Sequence, residues 1–364
     1  MSDTTMQRSG EALRDGLEKA LSERLTVDFW HAHEARDDAA IFDHDLWQVL
    51  ENLGLTTLLS SAVHGGAEAS MLEAHGALEA LSTQSVPLPA AETMLAAWCA
   101  GGAGLSVPTG PLTFGPVFAH DRLTLVANDD GYQLSGSARA LPFARHANAA
   151  LLQCQLGDTD MLCVLRQPAS TPGVSVSADR GLNGEARDTL VVDVQVSASD
   201  IAPANTIDLQ LVGAAMRAVQ MASATAAAMD LSIAYVSERQ QFGRPLAKFQ
   251  AIQQQLAVLA AQSTAATVAA RRAFAALTSP QAFFAVAAAK TAVGQAASQG
   301  AAIAHQVHGA MGFTAEYGLH RYTRRLWTWR EEFGNEAWWS QRLGLHVAAA
   351  GADSLWDMLI AEPN

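Results

Sequence analysis

Residues 237–245 read Ser-Glu-Arg-Gln-Gln-Phe-Gly-Arg-Pro, and the pair Phe249-Gln250 follows shortly after them. This stretch separates two long alanine-rich runs whose apolar residues recur at helical spacing. Gly243 is typical of a residue just past a helix C-terminus, and Pro245 is typical of the first position of a helix. The stretch therefore predicts a joint at which one long helix ends and the next begins.

Two arginines, Arg239 and Arg244, flank this joint beside the ring of Phe242. The start of a helix leaves backbone N–H groups unpaired, and guanidinium groups bind phosphate through parallel hydrogen bonds. The joint is therefore a candidate site for a phosphate group. An ordinary helix corner with solvated charges has the same spacing, so the spacing by itself leaves both interpretations open.

The composition is typical of a well-packed globular protein with more than one domain. The chain has 364 residues, of which 49% are hydrophobic and 16% are charged. That length predicts two or three domains, and the frequent alanines of the second half favour helices that pack closely. The net charge of -13 argues against nucleic acid as a partner, because a phosphate backbone needs a basic surface.

Neither a membrane span nor a metal site is expected. The N-terminus has no apolar signal-peptide core, and the most apolar tract, residues 260–304, is interrupted by Arg271, Arg272 and Lys290. We therefore expect a soluble, cytoplasmic protein. Two histidines on one helical face lack a third metal ligand nearby. The three cysteines lack metal-like spacing, so the cysteines are expected to be buried or free thiols.

The periodicity of apolar residues divides the chain into three predicted domains, 1–105, 106–205 and 206–364. The predicted helices cover 11–25, 46–53, 71–81, 90–100, 209–239, 247–277, 280–311 and 335–350. The predicted strands cover 123–126, 132–134, 149–155, 161–165, 174–176 and 190–196, and the turn Asp129-Asp130-Gly131 joins the first two as a hairpin. We therefore expect a mostly α-helical protein with a small central antiparallel β domain and a C-terminal four-helix bundle.

A second glycine-rich motif ends the third long helical run and reads Gln306-Val307-His308-Gly309-Ala310-Met311-Gly312. Its small residues would let a backbone or a ligand approach without a side-chain clash. Together with Arg239-x-x-Phe242-Gly243 and Phe249-Gln250, this motif resembles the acyl-CoA dehydrogenase family. The helix–strand–helix order of the chain resembles the domain order of the same family.

The resemblance implies FAD as the cofactor. In the family, the arginine, phenylalanine and glutamine of the first motif contact FAD. The Gln-x-x-Gly-Gly part of the second motif holds the dinucleotide part of an FAD whose other contacts come from the neighbouring subunit. The matching positions in this chain are Arg239, Phe242, Gln250, Gln306, Gly309 and Ala310. The last of these replaces a glycine of the family, and its methyl group would weaken a close contact.

The resemblance also implies a reaction and its partners. Family members oxidise an acyl-CoA thioester, as in fatty acid or steroid side-chain degradation, and pass the electrons to an electron-transfer flavoprotein. A carboxylate removes the α-proton while FAD accepts the β-hydride. A tetramer is expected, because the alanine-rich faces of the long helices need covering and the family completes its FAD site across subunits.

The catalytic base of the family has no counterpart in the sequence. Counting from Glu316 without gaps places Phe333 at the base position, and phenylalanine accepts no proton. Glu331 and Glu332 lie beside it and would serve only if the loop were rebuilt. We expect them instead to be a solvated acidic pair that balances nearby arginines. The other base position known in the family falls near Gly213, where no carboxylate lies.

The β domain departs from the family as well, because Ala140-Leu141-Pro142-Phe143-Ala144 stands where a Trp-Ile-Thr-like strand usually faces the flavin. It looks like the short, divergent members that form mixed tetramers with a more complete subunit. Two hypotheses follow: an active acyl-CoA dehydrogenase in a homo-oligomer, or a catalytically silent or FAD-sharing subunit of a heterotetramer. A helical scaffold without a cofactor would require both motifs to be coincidental.

Overall fold

The structure is a computed structural model that describes residues 3–35, 42–129 and 131–360. Its packing forms two compact units. One comprises the residues up to Ala77 together with Val86–Gly213, and the other comprises Leu78–Ser85 together with the residues from Ala214 onward. The short segment Leu78–Ser85 therefore packs with the C-terminal helices, although it lies within the N-terminal part of the sequence.

The described residues before position 105 are mostly helical, as predicted. The helices are α1 (Asp3–Ser22), α2 (Val27–Glu34), α3 (His44–Asn52), α4 (Met71–Thr83) and α5 (Ala90–Gly102). Side chains fix where two of them begin. Thr26 accepts a hydrogen bond from the N–H of Phe29 at the start of α2, and Asp43 accepts one from the N–H of Leu46 at the start of α3.

Two glycines let α1 and α4 approach closely. A Cβ atom on Gly76 would lie 2.3 Å from the carbonyl oxygen of Gly10. A Cβ atom on Gly10 would lie 2.6 Å from the carbonyl oxygen of Leu72. Alanine at either position would therefore push the two helices apart, so glycine is required for this contact.

The central part of the chain folds into an eight-stranded sheet. Its strands are β1 (Leu112–Gly115), β2 (Leu123–Asn128), β3 (Gly131–Pro142), β4 (Ala149–Leu156), β5 (Thr159–Arg166), β6 (Val174–Ser177), β7 (Arg187–Val196) and β8 (Ile201–Pro203). The order along the sheet is β6-β7-β3-β2-β4-β5-β8, with β1 paired to β4. The six predicted strands are confirmed, and β1 and β8 are additional.

The sheet is antiparallel except at β4, which pairs parallel to both β1 and β2. The predicted hairpin joins β2 to β3, with Asn128 opposite Gly131 in the register. Asp130, the middle residue of the predicted turn, lies outside the described residues. Gly131 has a φ of +128°, a backbone conformation that favours glycine.

The second unit is a bundle of long helices. Its elements are α6 (Leu209–Glu238, which begins in the first unit), the short strands β9 (Gln240–Gln241) and β10 (Arg244–Pro245), then α7 (Gln250–Ala275), α8 (Ala282–His308), α9 (Leu319–Glu331), α10 (Glu336–Ala350) and α11 (Leu355–Ile360). The 30 residues of α6 give it a length of ~45 Å. The four long helices predicted after residue 205 are confirmed, whereas α9 was not predicted.

Small residues bring the long helices of the bundle together. A Cβ atom on Gly300 in α8 would lie 3.0 Å from Cγ2 of Thr225 in α6 and 3.3 Å from Cδ1 of Leu259 in α7. The three helices therefore meet at this glycine with little spare space. Within the described ranges, no helix is both long and apolar enough to cross a membrane.

Candidate functional site

The joint between α6 and α7 is a small hairpin rather than a simple helix corner. Arg244 pairs with Gln241 across the turn, and Phe242 and Gly243 between them have φ values of +52° and +77°. Two successive positive φ values are typical of a tight hairpin turn. Gly243 therefore has the positive φ expected of a helix-ending glycine, but it serves a turn between two strands.

The predicted role of Pro245 as the first residue of a helix is therefore wrong. Pro245 lies in β10 with an extended ψ of 144°, and α7 begins at Gln250. The N–H of Leu246 donates a 2.8 Å hydrogen bond to the carbonyl oxygen of Arg239, which holds the hairpin closed. Proline fits this place because its fixed φ suits extended backbone as well as the start of a helix.

The structure brings the two glycine-containing motifs to the same end of the bundle. Tyr235 lies in the last turn of α6, four residues before Arg239, and His308 directly precedes Gly309 at the end of α8. Their rings stack with centroids 4.6 Å apart, and the ring of Tyr317 lies 4.9 Å from that of His308. Burial lowers the pKa of His308 below its usual value.

The six candidate FAD contacts are exposed in the single chain, namely Arg239, Phe242, Gln250, Gln306, Gly309 and Ala310. The guanidinium group of Arg239 has no hydrogen-bond or ion-pair partner among the residues that the structure describes. Phe242 is 91% exposed at the tip of the hairpin. Groups that are exposed, polar and without partners are suited to bind a ligand or another subunit.

Gly309 provides an open backbone at the end of α8. Its φ of +58° and ψ of -138° are accessible to glycine but strained for other residues, and nothing lies within 4 Å of the place a Cβ would take. A flat or charged group can therefore approach the backbone here. The free guanidinium of Arg239 and the open backbone of Gly309 fit the phosphates and the dinucleotide part of FAD.

Arg244 differs from Arg239, although both flank the joint. Its guanidinium carbon lies 4.1 Å from the centroid of the Phe249 ring, and the Phe242 ring meets the Phe249 ring at 6.2 Å. Arg244 is therefore engaged in a cation–π contact that stiffens the hairpin. Arg239 lacks such a ring contact among the described residues.

The residue that the sequence count matches to the family's base, Phe333, is a buried aromatic side chain. Phe333 is fully buried and has a φ of +54°, and Gly334 after it has a φ of +83°. The indole Nε1 of Trp339 donates a 2.8 Å hydrogen bond to the carbonyl oxygen of Phe333. The turn between α9 and α10 is thus well packed, with no proton acceptor on the side chain at position 333.

The expectation of a solvated acidic pair is wrong for Glu332. Its side chain is buried, and its Oε2 atom accepts a 2.6 Å hydrogen bond from Nε of Arg217, which is itself fully buried. Glu331 is exposed, as expected, and accepts a hydrogen bond from Asn335. The two neighbours differ because α9 ends between them, so that Glu332 turns into the bundle.

Sequence reasoning missed the partner of Glu332, although a signal was present. Arg217 is the only charged residue between Asp208 and Asp230, in an otherwise apolar and small-residue stretch of α6. A lone charge in such a stretch is buried with its helix and needs a partner from elsewhere. Lys290 in α8 is a second buried charge of this kind, and it is 1% exposed.

The segment at residues 140–145 is held by a buried carboxylate. Phe143 has a φ of +53° and is buried, and the next turn brings Arg145 to Asp188 in β7. The backbone N–H and the Nε of Arg145 each donate a 2.8 Å hydrogen bond to that carboxylate. The segment that reads Ala-Leu-Pro-Phe-Ala is therefore held in a defined local structure.

The thiols and histidines have structural surroundings. The three cysteines are buried and unpaired, and burial raises the pKa of each thiol. His305 shares a 3.0 Å hydrogen bond with Thr323 and stacks on Phe313. No group of three potential metal-binding side chains occurs among the residues that the structure describes.

The fold and these motifs define a member of the acyl-CoA dehydrogenase family, and the chain belongs to that family. The family model for the acyl-CoA dehydrogenase N-terminal domain matches residues 8–104, and the model for the C-terminal domain matches residues 211–338. FAD is therefore the cofactor, as the motifs predicted, and the expected fold class is confirmed.

Similar proteins agree with this assignment. A probable acyl-CoA dehydrogenase from Bacillus subtilis, YngJ, is 28% identical over 287 residues, which cover 74% of this chain and 72% of the relative. The ChsE4-ChsE5 complex from Mycobacterium tuberculosis has a TM-score of 0.86 at 20% identity, with coverage of 97% and 99%. A variant of the Tcur3481-Tcur3483 steroid ACAD has a TM-score of 0.85 at 23% identity, with coverage of 95% and 100%.

Proposed function

We propose that the chain functions in the FAD-dependent α,β-dehydrogenation of an acyl-CoA thioester and delivers the electrons to an electron-transfer flavoprotein. The observation that carries the proposal is the meeting of the two FAD-type motifs at one end of the bundle, through the stacked rings of Tyr235 and His308. Membership of the acyl-CoA dehydrogenase family supports the type of reaction, an oxidation at a CH–CH bond.

The residues of the two motifs would contribute different kinds of contact. The exposed guanidinium of Arg239 would bind phosphate oxygens through charge-assisted hydrogen bonds. Gln250 and Gln306 offer amide donors and acceptors, and Gly309 leaves its backbone open to approach. FAD, when bound, supplies the hydride acceptor for the β-carbon of the thioester. Because these groups are exposed in the single chain, the proposal includes an oligomer whose neighbouring subunit covers the cofactor.

Removal of the α-proton is the step for which the chain offers no group at the family's position. Counting from Glu316 without gaps matches Phe333 to that position, and Oε2 of Glu332 accepts a hydrogen bond from Arg217. A general base must reach the proton that it removes with a free lone pair. This observation favours a second candidate function, in which the chain is an FAD-sharing subunit and a different subunit supplies the base.

The second candidate also has support from the similar structures. The ChsE4-ChsE5 complex and the Tcur3481-Tcur3483 steroid ACAD are each named for two components. By analogy, the partner of this chain would be a second, more complete acyl-CoA dehydrogenase subunit in a heterotetramer. The acyl group would then be that of a steroid side chain or of a fatty acid.

Two measurements test the proposal and separate its two forms. The first is the flavin absorbance spectrum of the purified chain, made alone and with the product of its neighbouring gene. The second is turnover of a saturated acyl-CoA with an artificial electron acceptor. Turnover by the chain alone supports the first form. Flavin binding with turnover only in the mixed preparation supports the second, and absence of flavin from both preparations contradicts both.

A further inference from the structure

A buried lysine holds the turn that contains the base position of the family. Lys290 lies in α8, and its Nζ donates hydrogen bonds to the carbonyl oxygens of Trp329, Arg330 and Gly334 at 3.2, 2.9 and 2.8 Å. The first two carbonyls belong to the last turn of α9, where backbone acceptors lack partners within the helix. One side chain thus ties the end of α9 and the residue after Phe333 to α8.

The backbone that Lys290 holds contains two successive residues with positive φ. Phe333 and Gly334 have φ values of +54° and +83°, and a phenylalanine in this region is strained. Trp339 binds the carbonyl oxygen of Phe333 from α10. Lys290 and Trp339 together bind four carbonyl groups around the turn, and Glu332 lies within the segment that they hold.

The charges around Lys290 do not explain its position through an ion pair. The pKa of Lys290 is lowered to about 7, mainly by burial and further by the nearby charge of Arg217 in α6. Three carboxylates act in the opposite direction and raise this pKa, namely Glu332, Glu336 in α10 and Glu331 in α9. Arg330 in α9 pairs with Glu336. No carboxylate among the described residues lies within ion-pair distance of its Nζ. The three carbonyl oxygens match the three hydrogens of an ammonium group, so its contacts are those of a backbone clamp.

We propose that Lys290 is a positioning residue, which fixes the 332–334 turn by its three carbonyl contacts and thereby directs Glu332 onto Arg217. Among the described residues, no hydrogen bond or ion pair joins Lys290 to Arg217 or Glu332. Its effect on the pair is therefore exerted through the backbone. The proposal concerns this turn alone, and it applies whether the catalytic base comes from this chain or from another subunit.

A double-mutant cycle distinguishes this role from simple packing or charge. If the turn loses its clamp in Lys290→Met, Glu332 is no longer directed onto Arg217, and the Arg217→Met substitution costs less than in the parent. Direct repulsion between the two cations predicts the opposite, because the loss of Lys290 would make Arg217 more favourable. Simple packing predicts that the two costs add.

The experiment measures urea unfolding of the FAD-loaded protein for the parent, the two single variants and the double variant. In the parent, Arg217→Met should lower the folding equilibrium constant by about 150- to 5,000-fold. In the Lys290→Met background the reduction should be smaller by about ten-fold or more. An equal or larger reduction overturns the proposal.

A conservative variant and a local measurement complete the test. Lys290→Arg keeps the charge and several N–H donors, so amide hydrogen exchange across residues 328–336 should stay close to that of the parent. Lys290→Met should exchange faster there by roughly three- to ten-fold, the effect of losing a hydrogen bond. Should Lys290→Met fail to fold, Lys290→Gln replaces it in both measurements. If amide exchange across residues 328–336 in Lys290→Met, or in Lys290→Gln where it replaces it, equals that of the parent, the proposal is overturned.

Discussion

Removal of one member of the buried Arg217–Glu332 pair should destabilise the protein strongly. The two side chains are 0% and 3% exposed and lie 2.6 Å apart, and Arg217 also binds Gln220. Arg217→Met would leave the Glu332 carboxylate buried without its guanidinium. Breaking a buried pair in this way costs ~3–5 kcal/mol, whereas replacing both members by apolar residues is often nearly neutral.

The measurement is urea unfolding at fixed protein and FAD concentrations, because both concentrations shift the apparent stability. Arg217→Met should lower the free energy of unfolding by ~3–5 kcal/mol, and the double change Arg217→Met with Glu332→Leu should recover most of that loss. The control is Arg166→Met, since Arg166 pairs with Asp200 at 2.7 Å but is 44% exposed. An exposed pair of this kind contributes only ~0–1 kcal/mol.

Two results would refute this reasoning. One is an Arg217→Met variant that unfolds within ~1 kcal/mol of the parent, as the Arg166→Met control should. The other is a double variant that is less stable than either single variant. A gain of acyl-CoA turnover in Arg217→Met would have a different meaning, because it would identify Glu332 as a base that Arg217 normally holds in place.

Three further predictions concern the cofactor, the base position and the acid limit of stability. Arg239→Ala should weaken FAD retention by roughly ten-fold or more, since a charge-assisted hydrogen bond contributes ~1.5–3 kcal/mol. The measurement is equilibrium dialysis of FAD, with Arg271→Ala as the control, which should retain FAD as the parent does. Equal FAD retention by Arg239→Ala and Arg271→Ala would contradict the assignment of Arg239. Phe333→Glu should raise turnover with an artificial electron acceptor by ~10²–10⁴-fold if FAD and substrate bind as in the family, and unchanged turnover would count against that geometry. A hydrogen bond from Arg330 holds the pKa of Glu336 below 4.5 in the folded protein. The stability that the ionised Glu336 contributes is therefore present above pH 4.5, and it is lost as the pH falls through the pKa of Glu336 in the folded state. The advantage of the parent over Glu336→Gln in urea unfolding should therefore shrink below pH 4.5, and a difference that does not change with pH would disprove this.

The helices and strands could be predicted from the sequence because their signals are local. The run from Leu209 to Arg239 was predicted as one helix, and α6 covers Leu209–Glu238. Apolar spacing reports which face of a segment is buried, and that spacing is contained within the segment itself. The resemblance of two short motifs then identified the family and its cofactor, which the family models confirm.

The joint at residues 239–249 shows where local signals become ambiguous. Gly243 was expected to end a helix, and it has the positive φ that such a role requires, but it forms the turn of a hairpin. Both structures need the same backbone angle at glycine, so the angle could be predicted and the surrounding structure could not. The stacking of Arg244 on Phe249 was equally hidden, since it depends on the path of the chain between them.

The sequence by itself determined that Phe333 follows the two glutamates Glu331 and Glu332, and that no carboxylate lies between Asp208 and Asp230. Only the tertiary structure decided that Glu332 is buried against Arg217, a residue 115 positions away, and that Lys290 binds three carbonyl groups of the turn. The physical reason is that a buried charge is stable only with a partner. The position of that partner depends on how α6, α8 and α9 pack together, which the spacing within each helix does not contain.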